Sequence, residues 1–91
     1  MKRISIFGST GSIGTQTLSV AEQFLDQVQV IGLAAGKNIE ILIPQIEKWR
    51  PKYVVVSFEK DAYTLQQLYP HLEISWGEQG LLELAKIKVD T

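Results

Sequence analysis

The stretch Ile4-Ser5-Ile6-Phe7-Gly8-Ser9-Thr10-Gly11-Ser12-Ile13-Gly14 decides how the rest of the chain is read. Ile4 to Phe7 is a short β-branched and apolar run that stops at Gly8, the pattern of a strand. From Ser12 the apolar interval changes. Ile13, Thr17, Val20, Ala21 and Phe24 recur at helical spacing, which predicts a helix running to about Leu25. Glycines cluster in many loops, but a G-x-x-G-x-x-G string between a strand and the helix it opens matches the turn that holds a dinucleotide pyrophosphate. Gly8 permits the sharp turn off the strand, Gly11 lets backbone approach the pyrophosphate, and Gly14 lets the helix pack closely on the sheet. The unpaired N–H groups of Thr10, Gly11, Ser12 and Ile13, at the positive end of the helix, are the expected anion donors. The hydroxyls of Ser9, Thr10 and Ser12 add to them. No Lys or Arg occurs between Ile4 and Gly36, and Thr15-Gln16 follows the glycines, so this is not a lysine-bearing Walker A loop.

Working outward, strand-like and helix-like segments alternate without linker or repeat. Val28 to Ala34 is a mostly apolar second strand, as a strand covered on both faces should be. A second helix carries Ile39, Leu42, Ile43, Ile46 and Trp49 on one face, with Asn38 as its N-cap. Pro44 interrupts it: either the helix is kinked there, or it starts later with Pro44 in its first turn. Arg50-Pro51 ends the helix, and Tyr53 to Ser57 is the strongest strand of the chain. Asp61 is the expected cap of a third helix bearing Ala62, Leu65, Leu68 and Tyr69, which Pro70 terminates. Leu72 to Trp76 alternates like a half-exposed strand, Glu78 to about Ala85 reads as a fourth helix, and Ile87-Lys88-Val89 as the start of another strand. Successive βα units predict an α/β fold: a Rossmann-like, doubly wound, mostly parallel sheet in three αβα layers. The strand order is expected to reverse beside the first strand, where the cofactor crevice of such a sheet forms.

Composition narrows the function classes. The 91 residues hold nine Lys plus Arg against ten Asp plus Glu, a balance that argues against a general nucleic-acid binder. There is no cysteine, which excludes a disulfide scaffold, a thiol nucleophile and a Cys-liganded zinc, and the single histidine, His71, excludes every His-pair metal motif. No apolar run approaches the ~18 residues of a membrane span, and the N-terminus lacks the pattern of a signal peptide. A soluble, cytoplasmic domain is expected, without nucleic-acid or membrane partners. His71 reads as a surface loop residue, Glu78 and Glu83 as a solvated helix face, and Trp49 and Trp76 as packing residues at element ends. Lys48, Arg50 and Lys52 suit the negative end of a helix better than an anion site.

The end of the second strand selects the dinucleotide. An NAD site usually places Asp or Glu there to accept from the ribose 2′-OH. Here Leu33-Ala34-Ala35-Gly36-Lys37-Asn38 offers no carboxylate. An ammonium beside backbone N–H groups attracts a 2′-phosphate, so NADPH is expected, with Gly36 allowing close approach, Lys37 supplying charge and Asn38 an amide.

These two segments, with Arg50-Pro51-Lys52 and Gly77-Glu78-Gln79-Gly80-Leu81, resemble the amino terminus of the 1-deoxy-D-xylulose 5-phosphate reductoisomerases along essentially the whole chain. Phe7, Ser19 and Pro44 depart from that family's usual residues, away from the phosphate-facing positions. The resemblance implies NADPH-dependent isomerisation and reduction of 1-deoxy-D-xylulose 5-phosphate to 2-C-methyl-D-erythritol 4-phosphate in isoprenoid biosynthesis, by a homodimer using Mg or Mn. It places Thr10, Gly11, Ser12 and Ile13 on the pyrophosphate side and Gly36, Lys37 and Asn38 on the 2′-phosphate. Residues 1–91 would then form an incomplete NADPH-binding domain, without the catalytic and C-terminal domains, the metal ligands or the sugar-phosphate site, and inactive alone. Two other readings stay open: the cofactor domain of another NADP-dependent reductase, such as a semialdehyde dehydrogenase, and a stand-alone, non-catalytic nucleotide-binding module.

Overall fold

Strands and helices alternate through the computed structural model, which describes residues 2–87 and 89. Their order is β1 (Lys2–Phe7), α1 (Ser12–Ala21) with a 3-10 turn at Glu22–Phe24, β2 (Val28–Ala34), α2 (Ile39–Trp49), β3 (Tyr53–Val56), α3 (Glu59–Leu68), β4 (Glu73–Trp76) and α4 (Gly77–Lys86). All neighbouring strands are parallel, in the order β1-β2-β3-β4. β1 therefore lies at an edge, and no reversal of strand order occurs among the described residues.

Side chains alternate across the pleat, so β2 and β3 serve two cores. On one face Ile6, Val30, Leu33, Val54 and Val56 pack with Leu18 of α1, Leu42 and Ile46 of α2, and Ala62 and Leu65 of α3. On the other, Ala34 and Val55 pack with Leu84 of α4. Parallel strands joined by crossovers of one hand keep their helices on one face while the chain advances in one direction. A helix on the opposite face marks the change of direction of a doubly wound sheet. The Rossmann-like expectation holds: α1, α2 and α3 cover one face of the sheet and α4 the other.

Several local expectations need correction. The buried stripe of α1 is Gly14, Leu18 and Ala21, whereas Ile13 is 79% exposed and Val20 56%. Apolar spacing pointed to the neighbouring face; the contact at Gly14, described below, sets the rotation. α2 begins at Ile39 and contains Pro44 within it, which removes the later-start alternative. α3 begins at Glu59 with Phe58 as N-cap, so Asp61 lies inside its first turn, where a carboxylate suits the positive helix end. Trp49 packs against the core as expected, but Trp76, on edge strand β4, is 46% exposed. Of the expected strand start Ile87-Lys88-Val89, Ile87 forms a bend and Lys88 lies outside the described residues. Phe7 is half-exposed, so its bulk is not forced into the core.

The residue at the C-cap of α3 ties back to α2: the Tyr69 hydroxyl donates to Glu47 Oε2 at 2.6 Å. Burial, reinforced by the hydrogen bond to and the charge of the Glu47 carboxylate, pushes the Tyr69 phenol up to about 12. Its acidity is then weaker folded than unfolded, so the contribution to stability is complete below the ordinary tyrosine range near pH ~10 and is lost as pH rises towards ~12. Denaturant midpoints measured across that window should fall for the natural chain and fall less for Tyr69→Phe.

Candidate functional site

The C-terminal ends of β1, β2 and β3 meet at one edge of the sheet, where parallel α/β sheets bind ligands. The turn after β1 is anchored from below. Gly8 N–H and Ser9 N–H both donate to Ala34 O, at 2.7 and 2.9 Å, fixing the turn to the end of β2. Gly8 has φ +74°, a left-handed conformation that other residues adopt at a cost. Gly14 is required by space: a Cβ there would stand 2.1 Å from Gly8 O and 2.7 Å from Ser9 Cα. The first turn of α1 thus lies directly against the backbone of the glycine turn.

This geometry sorts the expected anion donors. Gly11 N–H donates to Gly8 O at 3.0 Å, so it is not among the free groups, contrary to expectation. Thr10, Ser12 and Ile13 N–H have no acceptor among the described residues. Ser9 is fully buried, which withdraws its hydroxyl from any ligand outside, whereas Thr10 is partly exposed and Ser12 exposed. Thr15 N–H donates to Gly11 O at 2.9 Å and starts the helical ladder.

The segment after β2 lies beside this turn. Ala35 N–H donates to Val55 O at 2.8 Å, and Ser57 N–H reaches Gly36 O at 3.4 Å, so the end of β3 holds the loop along its length. Gly36, Lys37 and Asn38 are exposed. Asn38 occupies the N-cap position of α2, yet its side chain makes no capping bond. Its amide therefore remains available to a ligand, with the Lys37 ammonium next to it.

Sequence reasoning missed two residues of this edge. Gln45, on α2, donates from Nε2 to Ser9 O at 2.8 Å and holds the glycine turn from behind. Gln45 Oε1 and Ser9 Oγ are buried without a partner among the described residues, so the tie runs through that amide N–H. Phe58 is the second: Lys37 Nζ lies 5.7 Å from its ring centroid. No local signal marks either residue, since each acts on a segment distant in sequence.

The remaining candidates form no site. A cleft of about 700 Å³ opens at the opposite edge of the sheet, lined by Arg50, Tyr53, Tyr69 and His71 among others, and brings no set of convergent ligands together. His71 is exposed in a turn, Glu78 and Glu83 are exposed on α4, and no cluster of metal-ligating residues occurs among the described residues. No helix among them is long and apolar enough to cross a membrane.

Two substitutions test this construction. Gly14→Ala should destabilise the chain by at least the ~1–3 kcal/mol typical of overpacking, because backbone on both sides must move. Gln45→Met keeps length and volume but removes the donor to Ser9 O, and should lower stability by about 1–3 kcal/mol. Chemical denaturation of each variant measures both effects.

Comparison with known proteins agrees with the geometry. The family model described as 1-deoxy-D-xylulose 5-phosphate reductoisomerase matches residues 4–91. The reductoisomerase of Crocosphaera subtropica is 43% identical over 90 residues, covering 94% of this chain and 23% of that protein. The reductoisomerase of Zymomonas mobilis, solved in complex with NADPH, superimposes with a TM-score of 0.87 at 30% identity, over 97% of this chain and 24% of the other. A further reductoisomerase, solved with NADPH, fosmidomycin and magnesium, gives a TM-score of 0.86 at 25% identity, over 93% of this chain and 22% of the other. The chain spans about a quarter of the length of these relatives. With the match running through the glycine turn, the loop after β2 and all four helices, this chain belongs to the 1-deoxy-D-xylulose 5-phosphate reductoisomerase family, as its amino-terminal domain.

Proposed function

We propose that the chain binds the adenosine and pyrophosphate end of NADPH, as the cofactor domain of a 1-deoxy-D-xylulose 5-phosphate reductoisomerase. The observation that carries this is the joint geometry of two loops at one sheet edge. The first offers Thr10, Ser12 and Ile13 N–H groups without acceptors among the described residues; the second ends β2 with Lys37 and Asn38 in place of a carboxylate. The complexes of two family members with NADPH support it.

Each residue has a separate task in this reading. The free N–H groups of Thr10, Ser12 and Ile13 take the pyrophosphate at the positive end of α1, and the Thr10 and Ser12 hydroxyls add donors. Gly8 and Gly14 shape the turn, and Gly11 keeps its outer side bare. Gly36 is open: a Cβ at this position would meet nothing nearer than Ser57 Oγ at 3.8 Å, so a phosphate can approach its backbone. Lys37 supplies the charge for the 2′-phosphate and Asn38 an amide donor.

NADPH supplies a hydride. In the whole protein this reading implies rearrangement of 1-deoxy-D-xylulose 5-phosphate and reduction to 2-C-methyl-D-erythritol 4-phosphate. That protein would be a cytoplasmic homodimer using Mg or Mn, and no cluster of metal-ligating residues for such an ion occurs among the described residues. A bound hydride donor without a positioned acceptor gives no turnover. The 91-residue chain by itself should therefore oxidise no NADPH in the presence of the sugar phosphate.

The sharper test is cofactor discrimination. Lys37→Ala removes a charge that meets only the 2′-phosphate, so titration should show NADPH affinity falling about tenfold or more while NADH affinity changes little. Equal losses for both nucleotides would refute the assignment of Lys37.

A further inference from the structure

Phe58 does more at this edge than cap α3. Lys60, in the first turn of that helix, also has its Nζ over the Phe58 ring, 5.9 Å from the centroid, beside the 5.7 Å contact of Lys37. One half-exposed aromatic ring thus stands near two ammonium groups, one from the loop after β2 and one from the first turn of α3. Ordinarily two like charges spread apart; the electron-rich π system of the ring attracts both. Ser57 N–H meets Gly36 O at 3.4 Å, so the segment bearing Phe58 and Lys60 is fastened to the loop bearing Lys37. Neither lysine is paired with a carboxylate among the described residues, where the Lys48–Glu22 pair shows what such pairing looks like. Glu59 and Asp61 adjoin Lys60 in sequence, and immediate neighbours on a helix point in different directions.

We propose that Lys60 is a second cation for the 2′-phosphate of NADPH, and that Phe58 positions it together with Lys37. The inference rests on the NADPH reading above and adds a specificity residue to it from a third element, α3. A dianionic phosphate has oxygens enough for two ammonium groups, and charge-assisted hydrogen bonds from both strengthen discrimination against NADH, which lacks that phosphate. Phe58 would act through the lysines, by holding their charges at the loop before the ligand arrives.

Equilibrium titrations of the chain with NADPH, NADH and 2′,5′-ADP, for the natural protein and for Lys37→Ala, Lys60→Gln, Lys60→Arg and Phe58→Leu, test this. Lys60→Gln should weaken NADPH and 2′,5′-ADP by roughly 5- to 30-fold, leave NADH within about twofold, and flatten the salt dependence of NADPH binding. Lys60→Arg should retain most of the affinity, and Phe58→Leu should weaken the two 2′-phosphate ligands selectively, by less than Lys60→Gln. If Lys37→Ala discriminates between NADPH and NADH but Lys60→Gln does not, the role of Lys60 is overturned and the NADPH reading stands. If the natural chain binds no NADPH, or Lys37→Ala has no selective effect, the reading on which the inference rests fails first. Equal weakening of NADH by Lys60→Gln also overturns the role.

Discussion

Everything at the ligand edge depends on one close approach of backbone to backbone, at Gly14. With no Cβ at this position, the first turn of α1 rests on the carbonyl of Gly8 and the Cα of Ser9. That contact sets the rotation of the helix about its axis, which is why Leu18 and Ala21 are buried while Ile13 and Val20 face outward. The Ser12 and Ile13 N–H groups at the helix start meet no acceptor among the described residues. The turn in turn hangs from Ala34 O, which accepts from both Gly8 and Ser9. Strand pairing, helix packing and anion donors are therefore consequences of a few atoms that share one small volume.

α2 joins the two halves of the site. Its N-terminus continues the loop of Gly36, Lys37 and Asn38, and just past its midpoint Gln45 reaches the Ser9 carbonyl. The helix is held to the sheet by Leu42 and Ile46, both buried in the main core. A rigid element of this kind keeps the distance between the loop after β2 and the glycine turn constant, and preorganised donors bind a charged ligand without the cost of ordering them. The segment leading into α3 contributes from the third side, through the bond from Ser57 to Gly36.

Much of the fold was legible because its signals are local. Apolar strands covered on two faces, glycines between a strand and a helix, and the Arg50-Pro51 stop each involve residues adjacent in sequence. The expectations for Gly8, Gly36, Lys37 and Asn38 arose in the same way. Errors arose wherever the outcome depends on a partner far along the chain or on the exact path of a turn. Apolar spacing in α1 has two faces of similar hydrophobicity, and only the seat at Gly14 chooses between them. The Gly11 N–H looked free because a helix start leaves its first donors unpaired, but the tight turn folds Gly8 O back onto it. Ser9 sits among residues expected to face a ligand, yet the turn buries it completely.

Taken alone, the sequence determined the alternation of strands and helices, the parallel α/β class, the glycine turn and a loop after the second strand lacking a carboxylate. These follow from side-chain periodicity and from the backbone freedom of glycine, which operate over a few residues. Tertiary structure decided the rest: the strand order, with β1 at the edge among the described residues, the passage of α4 to the second face, the tie from Gln45 to Ser9 and the approach of Lys37 and Lys60 to the Phe58 ring. Gln45 and Ser9 are 36 residues apart, and nothing in either segment encodes the other. Their contact exists because the sheet brings its strand ends together at one edge and the crossover helices must lie across it, a condition set by the packing of the whole chain.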